Sequence, residues 1–331
     1  MRVSTLITGI EGQDGGYLAE LLLEQGTRVI GTVRPGLALP PETQALDAHR
    51  NCEHTSLDML NLGGLRSLLR QLQPTRVIHL AALSRPVQCE EQPIESHTIN
   101  VASAEVIVDW LRRDSPQSRV LLLSSSAIFG DPLTEPQNEE TERRPINTYG
   151  RQKLEVSRLA QAAREEGLYV SCAIPFNHES PRRSEDFVFA KIVNSAARIS
   201  LGLQQQLELG ALNARRDWGY APDFARAFAW MLEVERPLEL VLATGELHSV
   251  LELVDAVFTE LGLEHARHLR HSADLLRAGD PKEQVGDPAR AWVELGWEPE
   301  VKFAGLWKLM LDSALEHYRS QAASDTEPIS T

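Results

Sequence analysis

"LITGIEGQDGGYLAELLLEQG", residues 6–26, decides the fold. An apolar strand over residues 2–8 runs into glycines at 9, 12 and 15, and a helix follows at once. Tyr17, Leu18, Leu21 and Leu22 share one helical stripe, Asp14 stands where a cap is expected, and Gly26 ends the run. Gly9 permits the tight turn, Gly12 lets the backbone approach a pyrophosphate, and Gly15 allows close packing of helix on sheet. A helix N-terminus then favours the anion. A glycine pattern alone is weak evidence, but at the first strand–helix junction it predicts a dinucleotide site.

The alternation continues beyond this unit. Strands are expected at 28–33, 76–82, 119–126 and 169–176, with helices at 62–72, 103–113 and 147–167. This spacing predicts an α/β fold, a Rossmann-type doubly wound parallel sheet. After residue 176 the alternation weakens. Helices are expected at 187–199 and 222–235, and "ELVLATG" (239–245) returns to the sheet. The expected division is a dinucleotide-binding domain over 1–176 plus about 213–245, and a smaller, discontinuous α/β substrate domain over 177–212 and 246–317. The polar segment 318–331 reads as a disordered tail.

Lys+Arg 33 against Asp+Glu 47 gives a net charge of −14. Such a surface repels nucleic acid and anionic membrane, so an anionic ligand must meet a local cation cluster. Cys52, Cys89 and Cys172 form no close pair and read as reduced thiols of a cytoplasmic protein. "MRVSTLITGI" goes straight into a strand, which predicts no leader, and no apolar run reaches membrane-spanning length. His265, His268 and His271 could place two rings on one helix face, but the polar setting reads as solvated and no metal is expected.

"TYGRQKLE" (148–155) sets Tyr149 and Lys153 four apart, on one face of a helix. A Lys ammonium beside the phenol would lower a pKa that starts near ~10, so that Tyr149 could exchange a proton near neutrality. Upstream, "LLLSSSAIFGD" (121–131) ends a buried strand in serines. At the end of the second strand Arg34 stands where an acid usually holds a free ribose 2′-hydroxyl. That favours NADP(H), with NAD(H) as the alternative. Asp58 follows the next strand and could meet the adenine, or be a surface acid.

Together these stretches resemble an extended short-chain dehydrogenase/reductase, and most closely the GDP-mannose 4,6-dehydratases. "FNHESPRR" (176–183), "ARRDWGYAPDFARAFAWML" (214–232), "ATGELHSV" (243–250) and "GWEPEV" (296–301) carry the resemblance. It implies a catalytic Ser125, Tyr149 and Lys153. It places Gly9, Gly12, Gln13, Asp14 and Gly15 along the cofactor diphosphate. Met59 joins Asp58 near the adenine, and Leu80, Ala81, Ala82, Ser84, His178 and Arg183 line the rest of the cofactor. Ser84, Ser126, Asn177, Lys191, Arg216 and Arg277 would hold a GDP-linked hexose. Arg216 could equally pair with Asp217, and Arg277 matches only through the altered stretch "LLRAGDPKEQVGD" (275–287).

One departure bears on the reaction. Where the family carries the Glu that takes the C5 proton and protonates the departing C6 hydroxyl, this chain has Ala127. A Ser–Tyr–Lys site without it can still exchange hydride at a carbonyl. The expected activity is therefore a 4-keto reductase acting on GDP-4-keto-6-deoxy-mannose. The alternatives are a GDP-mannose 4,6-dehydratase with an acid supplied from elsewhere, a GDP-sugar epimerase, and a non-catalytic GDP-sugar-binding regulator. Pro35 replaces the second Arg of the family's cofactor loop, which reaches a neighbouring subunit in tetrameric relatives, so a homodimer is expected.

Overall fold

The computed structural model describes residues 3–275 and 281–324. Its centre is a seven-stranded sheet of β1 (Ser4–Thr8), β2 (Arg28–Val33), β3 (Cys52–Ser56), β4 (Arg76–His79), β5 (Arg119–Leu123), β6 (Val170–Pro175) and β7 (Glu239–Leu242). The order is β7-β6-β5-β4-β1-β2-β3 and every neighbouring pair is parallel. Strands buried on both faces need continuous apolar runs, and Val120, Leu121, Leu122 and Leu123 supply one. The chain reverses its direction of winding between β1 and β4. A crevice opens there, beyond the carboxyl ends of the strands, where open α/β sheets bind ligands.

One face of the sheet is covered by the helices Gln13–Glu24 and Ala221–Trp230. The other carries Leu62–Leu72, Ser103–Asp114 and Thr148–Glu165. The apolar faces of the last two, including Trp110, Leu111, Val156 and Ala160, lie in that core. A third cluster holds Phe189, Trp218, Phe303 and Trp307 and gathers Val188–Ser200, Val250–Glu260 and Phe303–Ser324 beside the sheet. Trp218 is thus part of this core.

Several boundaries differ from the sequence reading for local reasons. β4 stops at His79 because Leu80 N and Ala81 N turn to Thr8 Oγ1, at 3.1 and 3.2 Å. β5 stops at Leu123, and Ser126–Phe129 forms a 3₁₀ turn. Arg215–Arg216 pairs with His248–Ser249 and Glu283–Gln284 in a small three-stranded sheet apart from the seven-stranded one. Ala291 and Trp297 pack back into the sheet-side core, and Trp297 Nε1 donates to Asp223 O at 2.8 Å. The helix from Phe303 runs to Ser324, through the expected start of the tail, and Tyr318 hydroxyl donates to Asn194 Oδ1 at 3.2 Å.

Asp217 ties the two regions together. Its carboxylate accepts from Thr244 N at 2.9 Å, Thr244 Oγ1 at 2.7 Å, Gly245 N at 2.9 Å and Gly286 N at 3.3 Å. These donors are its partners, not an ion pair made for Arg216 alone. Asp217→Ala would orphan buried N–H groups, each costing ~1–3 kcal/mol. Denaturant unfolding is expected to show a loss of about 3 kcal/mol, whereas Asp217→Asn should lose less.

Candidate active site

The crevice is a cleft of about 980 Å³. Its floor is the phosphate turn, where Gly9 adopts φ +72° with Ala81 packed behind it. The helix begins at Gln13 with Gly12 as its cap, and no side chain bonds the first-turn N–H groups. They are left for an anion. Asp14 is therefore not the cap. It turns instead to His178, whose Nε2 lies 3.0 Å from Asp14 Oδ2. His178 Nδ1 lies 2.7 Å from Phe176 O, so both ring nitrogens face acceptors, an arrangement that favours the protonated ring. Burial works to lower the His178 pKa, but the Asp14 charge outweighs it and the net direction is upward.

Asn147 caps the helix Thr148–Glu165 by accepting from Gly150 N at 2.8 Å. Tyr149 then projects into the cleft that Ser125 also lines, and Ser125 Oγ accepts from Ala127 N at 3.2 Å. Lys153 Nζ sits 5.8 Å from the Tyr149 ring centroid and donates to Leu123 O at 2.8 Å. Burial lowers the Lys153 pKa to about 8. Burial also pushes Tyr149 up to about 12, against the opposing pull of Ser125 and Arg183. This corrects the expectation of a lowered phenol: among the chain's own groups, desolvation dominates, and Tyr149 keeps its proton.

The trio is brought together with Gly9, Gly12, Gln13, Asp14, Gly15, Leu80, Ala82, Ser84, Ser126, His178 and Arg183 as lining. Asn177, Lys191 and Arg216 line the far side. Arg216 Nη1 donates to Arg215 O at 2.8 Å and to Lys282 O at 3.2 Å. Arg34 and Asp58 are exposed outside this cleft, Met59 is buried, and Ala81 backs the turn. Arg277 lies outside the described residues.

Ala127 offers only a methyl group to the cleft. Of the cleft carboxylates, Asp14 faces His178, Glu185 pairs with Arg198 at 2.7 Å, Asp186 pairs with Arg85 at 3.1 Å, and Asp274 is exposed. Glu179 differs. It is buried, with Arg183 Nε 3.1 Å from its Oε2. Burial pushes its carboxyl up toward the protonated form, with Arg183 and His178 opposing.

A supporting layer carried no signal of spacing. Thr8 Oγ1 already accepts two N–H groups, so its hydroxyl donates to His79 Nδ1 at 2.8 Å, and His79 Nε2 faces Ser103 Oγ at 2.8 Å. Asn100 accepts from Leu83 N at 2.8 Å and donates to Gln152 Oε1 at 2.8 Å. These buried groups fix the segment after β4 and the helix bearing Tyr149. Among the described residues no cluster suits a metal ion; His265 Nδ1 pairs with Asp255 at 2.6 Å. No helix of the described residues is long and apolar enough to cross a membrane.

Sheet order, phosphate turn and Ser–Tyr–Lys constellation define an extended short-chain dehydrogenase/reductase, an enzyme class dependent on a nicotinamide cofactor. Solved structures share the fold. A dTDP-glucose 4,6-dehydratase from Bacillus anthracis in complex with NAD has TM-score 0.82 at 16% identity, covering 97% of this chain and 98% of its own. RMD from Pseudomonas aeruginosa complexed with NADPH has TM-score 0.76 at 24% identity, covering 95% and 99%. The model of the GDP-mannose 4,6 dehydratase family matches residues 6–310. GDP-mannose 4,6 dehydratase 1 of Arabidopsis thaliana is 36% identical over 95% of this chain and 90% of its own length. The chain belongs to the GDP-mannose 4,6-dehydratase family.

Two outcomes follow from the site. Tyr149→Phe should lower turnover ~10²–10⁴-fold while cofactor binding persists, as measured by initial rates beside fluorescence titration. The His178–Asp14 pair should also mark stability. The folded His178 pKa lies above its ordinary value near ~6.5, so its contribution is complete below that value and is lost as pH rises through the folded pKa. His178→Gln should therefore destabilise more at about pH 6 than at about pH 9 in denaturant unfolding.

Proposed function

We propose that the protein acts on a GDP-linked hexose as a GDP-mannose 4,6-dehydratase. The observation that carries this reading is the Ser125–Tyr149–Lys153 constellation facing Asn177, Lys191 and Arg216 across one cleft. In an acidic chain, Lys191 and Arg216 give the local positive charge that a sugar diphosphate needs. The names of the family relatives support dehydration over the reductase expected from the sequence. A nicotinamide cofactor, which Gly9, Gly12 and Gln13 would hold, would supply reversible hydride chemistry to the sugar. Tyr149 would relay the O4 proton, with Ser125 bonding that oxygen and Lys153 supporting the phenol. Elimination also needs a carboxyl to take the C5 proton and release the C6 hydroxyl as water. Glu179, buried in the cleft wall with Arg183 Nε 3.1 Å from its Oε2, is the carboxyl we assign to it; burial pushes its pKa up, and the Arg183 charge opposes this in favour of the ionised form that must first accept the C5 proton.

Ala127 favours a second reading, reduction of a GDP-4-keto-6-deoxyhexose. A Tyr149 that keeps its proton is the donor such a carbonyl requires. The cofactor is NAD(H) or NADP(H), and the choice turns on Arg34 and Glu11, which meet at the end of β2. We further propose a homodimer in the cytoplasm. Its contact would use outward helix faces, since the apolar faces of Ser103–Asp114 and Thr148–Glu165 are already buried.

A paired turnover assay separates the readings. GDP-mannose with oxidised cofactor should give GDP-4-keto-6-deoxymannose, and Glu179→Gln should slow this by at least ~10²-fold. Consumption of reduced cofactor on GDP-4-keto-6-deoxymannose, with no reaction on GDP-mannose, would replace dehydration by reduction.

A further inference from the structure

The phosphate turn contains an acid that its glycine pattern does not explain. Glu11 lies between Gly9 and Gly12, yet its carboxylate leaves the turn and reaches the end of β2. There Glu11 Oε1 accepts the backbone N–H of Arg34 at 3.2 Å. Its other oxygen, Oε2, is buried and has no hydrogen-bond partner. An unpaired buried carboxylate oxygen carries a desolvation penalty that a hydroxyl donor would relieve.

Place gives this acid its meaning. In a doubly wound fold the end of the second strand lies beside the adenosine ribose. An acid there accepts from the 2′-hydroxyl, whereas an Arg accommodates a 2′-phosphate. Here β2 ends at Val33 and offers Arg34, the residue on which the NADP(H) expectation rests. Arg34 is exposed, and among the described residues its guanidinium bonds to no side chain. The acid comes from another element and is docked on the backbone of that same Arg.

We propose that Glu11 is the cofactor-selectivity residue of this protein, its carboxylate accepting the free 2′-hydroxyl of NAD(H) and opposing the 2′-phosphate of NADP(H). This rests on the nicotinamide-cofactor reading above. A 2′-phosphate would bring a second anion against a carboxylate already fixed at Arg34 N. Like charges at that range disfavour each other. Arg34 pulls the other way, but its long exposed side chain loses rotamer freedom on binding and acts through screened solvent. The fixed acid therefore outweighs the mobile cation, and the site favours NAD(H).

The test is the ratio of dissociation constants for NADH and NADPH, titrated by nucleotide fluorescence on the full chain. A ratio taken on one preparation cancels any loss of folded protein. The unsubstituted chain should bind NADH at least as tightly as NADPH. Glu11→Gln keeps the size and removes the charge. It should shift the ratio toward NADPH by about 10-fold, the scale of a charge-assisted hydrogen bond. Arg34→Ala should shift it the other way. Glu11→Ala checks that the shift does not come from the new amide. An unchanged ratio in both Glu11 variants, or a tenfold preference for NADPH in the unsubstituted chain, overturns the proposal while leaving the cofactor reading intact. Failure to bind either nucleotide overturns both.

Discussion

Gly15 can carry no side chain. A Cβ there would lie 2.4 Å from Gly9 O and 2.7 Å from the Cα of Ile10. This approach of helix to turn sets where the first-turn N–H groups point, and the rest of the site is registered on that helix. Gln13, Asp14, Tyr17 and Glu20 each meet the 177–182 segment. Ser180 Oγ donates to Gln13 Oε1 at 2.8 Å, and Gln13 Nε2 donates to His178 O at 3.1 Å. Arg182 stacks over the Tyr17 ring at 3.9 Å and reaches Glu20 at 2.6 Å. Because Asn177 begins the same segment, the helix that would hold a cofactor also sets the wall that would hold a sugar.

Burial shapes the chemistry of this cleft more than any single charge does. It lowers Lys153 to about 8 and raises Tyr149 to about 12, so both groups are driven toward their neutral forms. It also raises Glu179 despite the adjacent Arg183. Where opposite charges meet squarely, as at Asp14 and His178, pairing prevails over desolvation. Burial thus favours the protonated forms of Tyr149 and Glu179 and the deprotonated form of Lys153.

The fold was legible because the apolar runs, glycine turns and helical stripes agree with one another along the chain. The meeting of Tyr149 and Lys153 was legible because both lie on one helix at fixed spacing, and Ser125 because it follows a buried strand. What stayed hidden depends on contacts between distant segments. Thr8, His79 and Ser103 come together across 71 and 24 residues, and no periodicity announces them. Asp14 read as a cap, since nothing nearby in sequence revealed that His178, 164 residues away, would claim it. The downward shift expected for Tyr149 followed from the nearby Lys, while the depth of burial that reversed it is a tertiary property.

Following the label from C4-deuterated GDP-mannose tests the central claim most directly. The reading of an intramolecular hydride relay predicts a 4-keto-6-deoxy product with deuterium at C6, seen by mass spectrometry, and no net consumption of cofactor. Recovery of unreacted GDP-mannose, or a product without the label at C6, would contradict it.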